Sequence, residues 1–183
     1  SGFIPNEDQG TFYASITTPS GATLERTKAV VNEVQKSCLG VDAIQSVSSL
    51  AGTNILSDGT GATYGTCLIN LKDWDNRKES VDDVIAIIEE KTKHIKDAKI
   101  EFFPPPAVPG YGNASGFELR LLNKTGSGDF KKMEVIVNQF LLDLKARPEI
   151  ASAFTIFDAS YAQFMLHIDN DKAAQKGVTV NNA

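Results

Sequence analysis

The chain carries one supersecondary pattern twice. An alternating strand around Phe12 (TFYASITT) runs through a glycine turn into an amphipathic stretch (ATLERTKAVVNEVQKSCLG) and on into a second strand (IQSVSSLAG). From Phe117 the same order returns as GFELRLLN, DFKKMEVIVNQFLLDLKA and ASAFTIF. Phe12 and Phe117 are 105 positions apart, and Val47 and Phe154 are 107 apart. A near-constant offset of that size means repeated β-α-β units, not a short tandem array.

The two copies end differently. The first continues with a third strand (TYGTCLINLKDW), a second helix (SVDDVIAIIEEKTKHIK) and a fourth strand (AKIEFF), which completes a β-α-β-β-α-β unit. The second supplies a third strand (AQFMLHID) and then DKAAQKGVTVNNA. A unit without its last helix and strand leaves a sheet edge and apolar surface uncovered, so the chain is expected to be a fragment of a longer protein. The expected fold class is α+β: a ferredoxin-like subdomain followed by a second, incomplete β-α-β copy, with antiparallel or mixed sheets and helices on one face.

Helix faces follow from spacing. The first helix carries Leu24, Thr27, Val31, Val34 and Cys38 at intervals of three and four, with Thr23 as N-cap and Gly40 past its end. The second starts at Ser80, with Asp83 three positions on as a capping-box variant, and shows Val81, Val84, Ile85, Ile88 and Ile95. The third starts at Asp129, shows Met133, Ile136, Val137, Phe140 and Leu144, and stops at Arg147-Pro148.

Strand alternation sorts the remaining residues between two sheet faces. Phe12, Ala14, Ile16, Val47, Ile69, Leu71, Ile100 and Phe102 are assigned to the helix side. Tyr13, Ser15, Thr17, Ser48, Leu50, Thr66, Leu68, Glu101 and Phe103 are left on the open side. That second set is too apolar to be merely wetted and too polar for a core, and it suits a partner or a promiscuous ligand.

Two irregular stretches stand out. FFPPPAVPGYGNASG joins the copies as a stiff proline rod followed by a glycine hinge, and marks a domain boundary. AGTNILSDGTGATYG, between strands two and three of the first copy, is longer than a plain hairpin requires and is expected to be a binding or moving loop.

Several chemistries find no support. The balance of 18 basic and 23 acidic residues, with lysines spread over helix faces, disfavours nucleic acid. No run approaches the ~20 apolar residues of a membrane span, and SGFIPNEDQG is not a signal peptide. Cys38 and Cys67 read as two independent buried thiols, with a disulfide or metal pair as the alternative. His94 and His167 lie in no catalytic motif, TGSGD lacks the lysine of a phosphate-binding loop, and Asp169-Asn170-Asp171 lacks the rest of a calcium loop. NEDQG reads as a solvated acidic turn. No enzyme and no cofactor are indicated.

The pieces FIPNEDQGTFYASITTPSGATLERT, INLKDW, IKDAKIEFF, GFELRLLN and QFMLHIDNDKAAQKGVTVN, in this order and spacing, resemble the second large periplasmic loop of resistance-nodulation-division (RND) efflux transporters of the acriflavine-resistance, hydrophobe/amphiphile type. The resemblance covers essentially the whole chain. It implies a lead-in at 1–10, a complete first C-terminal porter subdomain at 11–109, a hinge at 110–115, the first half of a second porter subdomain at 116–158, and the start of a docking subdomain at 159–183. It further implies the periplasmic part of a bacterial inner-membrane pump, driven by protons through membrane segments lying outside this chain. Such a pump is a homotrimer that works with a periplasmic adaptor and an outer-membrane channel.

The resemblance also implies site residues for hydrophobic or amphiphilic small molecules. Ser48, Leu50, Thr53, Ile55 and Leu68 correspond to a deep pocket, and roughly Ala51 to Gly61 to a loop separating two pockets. Tyr13, Ser15, Glu101, Phe103 and Thr155 correspond to an entrance pocket. Where related pumps carry several phenylalanines, this deep pocket has Ser, Thr, Ile and Leu, which weakens stacking with planar drugs. Glu101 is expected to favour cationic substrates. Met133 and Met165 lie outside this region, so soft-metal export is disfavoured. A stand-alone ferredoxin-like binding or oligomerisation module is the competing reading.

Overall fold

The structure is a computed structural model, and it describes residues 7–107, 112, 114–126, 128–150, 152–160 and 167–177. The first copy runs β1 (Thr11–Thr17), α1 (Leu24–Leu39), β2 (Ile44–Asn54), β3 (Gly59–Leu71), α2 (Val81–Thr92) and β4 (Lys99–Phe103). Its four strands form one sheet in the order β2-β3-β1-β4, with every neighbouring pair antiparallel. The ferredoxin-like α+β arrangement expected for this half is the one found.

Local chemistry explains where the helices begin. Thr23 accepts a hydrogen bond from the Arg26 N–H at 3.3 Å to open α1. Ser80 and Asp83 form a reciprocal capping box at the start of α2, each side chain accepting from the other residue's backbone N–H. Both helices lie on one face of the sheet. Phe12, Ala14 and Ile16 of β1, Cys67, Ile69 and Leu71 of β3, and Phe102 of β4 meet Val30, Val31, Val34 and Cys38 of α1 and Val81, Val84 and Ile88 of α2 in one buried core. Val47 and Ile100 pack against its edge. Phe12 and Phe102 meet edge to face with centroids 6.2 Å apart. The helix-side assignment from alternation therefore holds. One stripe residue departs from it: Leu24, in the first turn of α1, is exposed and lies beside Gly52, while Val30 takes a place in the core.

Gly65 shows how closely α1 presses on the sheet. It faces Ile16 across the β1–β3 ladder, and a Cβ there would lie 2.4 Å from Val31 Cγ2. Only a residue without a side chain lets the helix reach this depth.

The glycine-rich stretch 51–65 is mostly strand and not a long loop. β2 and β3 continue as a paired ribbon to Asn54 and Gly59, joined by the short turn at 55–58. Its glycines serve the ribbon: Gly52, at φ +97°, sits at a β-bulge between Ala51 and Thr53. In the turn, buried Asn54 accepts from the Leu56 N–H at 2.9 Å, and Asp58 takes φ +52°.

In the acidic segment ahead of β1, Glu7 and Gln9 are exposed as expected, but Asp8 is drawn inward. The Asp8–Arg77 pair is closed at 2.7 Å, with the side chains only 14% and 1% exposed. Burial disfavours the charge of Asp8, but bonds from Arg77 and from the Val81 and Gly10 N–H groups outweigh it and hold the carboxyl below its ordinary pKa. Arg77 also donates to the Lys72 and Glu79 carbonyls, and its guanidinium lies 4.3 Å from the centroid of the Trp74 ring. The EDQG and LKDW motifs are thus two halves of one joint that fastens the lead-in to the N-terminus of α2.

The second copy departs from expectation. α3 (Phe130–Lys145) forms and is capped by Asp129, but only Val137 of it is buried, whereas Ile136 is exposed. The strands expected at 116–123 and 151–157 are absent among the described residues, where the backbone is irregular. The first copy shows what such strands need. Its two parallel strands, β1 and β2, are not neighbours, because β3 lies between them and pairs with both. Among the described residues neither 116–123 nor 152–157 takes part in a ladder. The third strand expected at 162–169 falls mostly outside the described residues. A short helix α4 (Asn170–Gln175) follows.

Candidate functional site

The open face of the first sheet gathers most of the expected site residues into two cross-strand rows. Ser48, Leu68, Tyr13 and Phe103 form one row across β2, β3, β1 and β4. Leu50, Thr66, Ser15 and Glu101 form the next. Thr53 and Ile55 stand further along the β2–β3 ribbon and its turn. The ribbon curls over this face: the Thr66 hydroxyl donates to the Thr53 carbonyl at 2.8 Å.

The two ends of the face have different cover. At the β2 edge Leu50 is 61% exposed and Ser48 is open to solvent. At the β4 edge, residues 152–158 lie against it. Phe154 packs on Phe103 with centroids 6.1 Å apart, and Phe103 in turn meets Tyr13 at 5.8 Å. This aromatic row buries Phe103 although it points away from the helices. Lys99 Nζ donates to the Thr155 carbonyl at 2.8 Å and fastens the same segment to β4.

Beside this contact is a cleft of about 500 Å³, reached by Ser15, Glu101 and Thr155 and, from the ribbon turn, by Leu56. Its wall has apolar patches from Phe154, Ile156 and Phe157, and four carboxylates (Asp97, Glu101, Glu134, Asp158) against two ammonium groups (Lys96, Lys99). The cleft is large enough for a drug-sized molecule and combines apolar surface with a surplus of negative charge. Sequence-expected residues therefore separate into an entrance group at or next to the cleft (Tyr13, Ser15, Glu101, Phe103, Thr155) and a ribbon group (Ser48, Leu50, Thr53, Ile55, Leu68) outside it.

Sequence reasoning missed Phe154, Lys99 and Leu56. The repeat placed Phe154 opposite Val47, a helix-side position, yet it covers the open face of the other copy. Lys99 was findable, since alternation puts it on the same face as Glu101. Leu56 was not, because it lay in a stretch read as a loop. Cys38 and Cys67 are both free and fully buried, and burial pushes each thiol up to about 12. They are core residues away from the cleft. Among the described residues no helix is long and apolar enough to cross a membrane.

Comparison with known proteins identifies the setting. Over 97% of its length the chain is 36% identical to the toluene efflux pump membrane transporter TtgB of Pseudomonas putida and, equally, to the antibiotic efflux pump membrane transporter ArpB of the same organism. Over its full length it is 30% identical to the multidrug export protein AcrF of Escherichia coli. The chain spans only 17–18% of the length of these relatives, two of which are named as membrane transporters and the third as an export protein. The model of the AcrB/AcrD/AcrF family matches residues 1–183, and the chain belongs to that family as a fragment of an RND transporter.

Proposed function

We propose that this chain is the periplasmic porter portion of a proton-driven multidrug efflux pump and that the open face of its first sheet lines the path taken by hydrophobic and amphiphilic compounds. Residues 11–109 act as the first porter subdomain and 116–158 as the opening half of the second, with 159–183 leading into a docking subdomain. In the intact inner-membrane protein the assembly is a homotrimer that hands cargo to an adaptor and an outer-membrane channel. The observation that carries this reading is the cleft between β4 and residues 152–158. It is apolar enough to hold an amphiphile, acidic enough to prefer a cation, and flanked by a second row of open-face residues along which cargo can pass.

The chemistry asked of the site is binding and release. Tyr13, Phe103 and Phe154 offer aromatic surface, Glu101 offers charge, and Ser15 and Thr155 offer polar contacts at the rim. Because few directional groups converge, selection rests on size, apolar area and charge, which suits a broad substrate range. The test is a dye-efflux assay in cells that rely on the full-length transporter carrying this segment. Glu101→Gln is expected to slow export of a cationic dye several-fold and leave a neutral dye unchanged, whereas Phe103→Ala slows both. Equal export of both dyes by parent and variants overturns the reading.

A further inference from the structure

We propose that Lys99 is a built-in competitor for cationic ligands at Glu101 and thereby sets the affinity and selectivity of the cleft; this rests on the reading of the cleft given above. Lys99 and Glu101 are two positions apart on β4, so both point to the open face. The Lys99 ammonium lies 3.3 Å from Glu101 Oε1 and donates to the Thr155 carbonyl at 2.8 Å. It therefore occupies the place at the carboxylate that a ligand cation would take.

The other carboxylates of the cleft are engaged differently. Asp97 pairs with Arg26 at 3.2 Å, Glu134 accepts from the Ala159 N–H at 3.2 Å, and Asp158 accepts from the Ser160 N–H at 2.7 Å. Glu101 is the one recorded with a lysine of the cleft itself as its ion-pair partner. Lysine is suited to being displaced: it is a point charge on a flexible stem and holds no bidentate geometry. The pair is also partly in water, with Lys99 51% and Glu101 29% exposed, which keeps it weak. A small hydrated cation gains nothing by replacing one ammonium with another. A cation carrying an apolar body gains contact with Leu56 and Phe154 as well, and wins the exchange. The internal lysine thus acts as a filter that admits amphiphilic cations and rejects simple ones.

The experiment measures binding of a monocationic probe, tetraphenylphosphonium, and a neutral one, N-phenyl-1-naphthylamine, to the full chain and to Lys99→Met, Lys99→Arg, Glu101→Gln and the Lys99→Met/Glu101→Gln double variant. Circular dichroism establishes that each variant is folded. Lys99→Met is expected to tighten the cationic probe about three- to fivefold, the scale of an exposed ion pair, and to leave the neutral probe unchanged. Lys99→Arg, whose planar fork can hold the carboxylate bidentately, is expected to weaken binding of the cationic probe, and in the Glu101→Gln background Lys99→Met has no further effect. The proposal is overturned by unchanged or weaker cation binding in Lys99→Met while Glu101→Gln still loses affinity. Equal tightening of both probes also overturns it, because that reports a loosened cleft, and so does tightening that persists without Glu101. If Glu101→Gln binds the cation as the parent does, or if no variant binds it at all, the cationic reading of the cleft fails first and takes the competitor with it.

Discussion

The two copies of the β-α-β pattern have similar periodicity, yet among the described residues one closes around a core and the other shows capped helices without a ladder. In the first, Phe12 is fully buried beneath two helices; its counterpart Phe117 is 63% exposed. The difference does not lie in the strand and helix signals, which recur in order. The first copy shows what those signals need in order to close a sheet. A ferredoxin-like unit separates its two parallel strands by a third that pairs with both, so strand-helix-strand alone contains no ladder hydrogen bond between its own strands. Half of this fold is not half as stable, because the pairing that rewards the first strand arrives only with β3.

The largest test of that contrast is a matched pair of truncations. Phe12→Ala empties a place at the centre of the core and is expected to destabilise the first unit by about 4 kcal/mol, read as a lowered denaturation midpoint. Phe117→Ala should lie within about 0.5 kcal/mol of the parent. Comparable losses at the two sites would break the comparison and show that the second copy has a core of its own.

Next in size is the joint between the lead-in and α2. Arg77→Met leaves the Asp8 carboxylate nearly buried without its cation and is expected to cost about 3 kcal/mol. The joint also carries a pH signature. The native pKa of Asp8 lies below its unfolded value, so its contribution is complete at neutral pH and is lost as the pH falls below about 4 through the ordinary aspartate range and on to the lowered native value. Asp8→Asn should remove that acid limb from the stability profile, and an unchanged limb would assign it to other carboxylates.

A smaller effect is expected at Gly65. Alanine there drives a methyl into Val31 and should cost about 2 kcal/mol by overpacking. Val31→Ala in the same chain should recover part of it, since the vacated volume is the volume the new methyl needs. If Gly65→Ala is neutral, α1 is free to ride up on the sheet, and the tight seat that distinguishes the first copy is overstated.

How much of this was legible beforehand follows the range of each signal. Alternation and helical spacing are local, and they correctly sent Ile16 and Ile69 to the core and Tyr13, Leu68 and Glu101 to the open face. Capping chemistry is local too, and Thr23, Ser80 and Asp129 mark helix starts as expected. What could not be read depends on partners distant in the chain. Asp8 looks solvated until Arg77, 69 positions on, is brought beside it. Glycines 52, 59 and 61 resemble a flexible loop, because composition does not distinguish a glycine that permits a bulge from one that permits disorder. For the cleft, the resemblance and alternation together named Ser15, Glu101 and Thr155. Phe154 escaped because a repeat predicts that it belongs to its own copy's sheet, whereas the residue packs on the other copy's.

That cross-copy contact yields the smallest expected effect and the sharpest test of how the two regions relate. Phe154 supplies one aromatic face to Phe103, whose other neighbour, Tyr13, belongs to the first sheet. Phe154→Ala should therefore lower the stability of the first unit by about 1 kcal/mol, the scale of an aromatic pair, although the substitution lies in the second copy. A double-mutant cycle with Phe103→Leu separates this coupling from general loosening: if the rings interact, the two changes cost less together than the sum of their separate costs. Strict additivity would mean that residues 152–158 lie over the β4 edge without supporting it. The first copy would then draw nothing from this ring contact, and the bond from Lys99 to the Thr155 carbonyl would be the next contact to test.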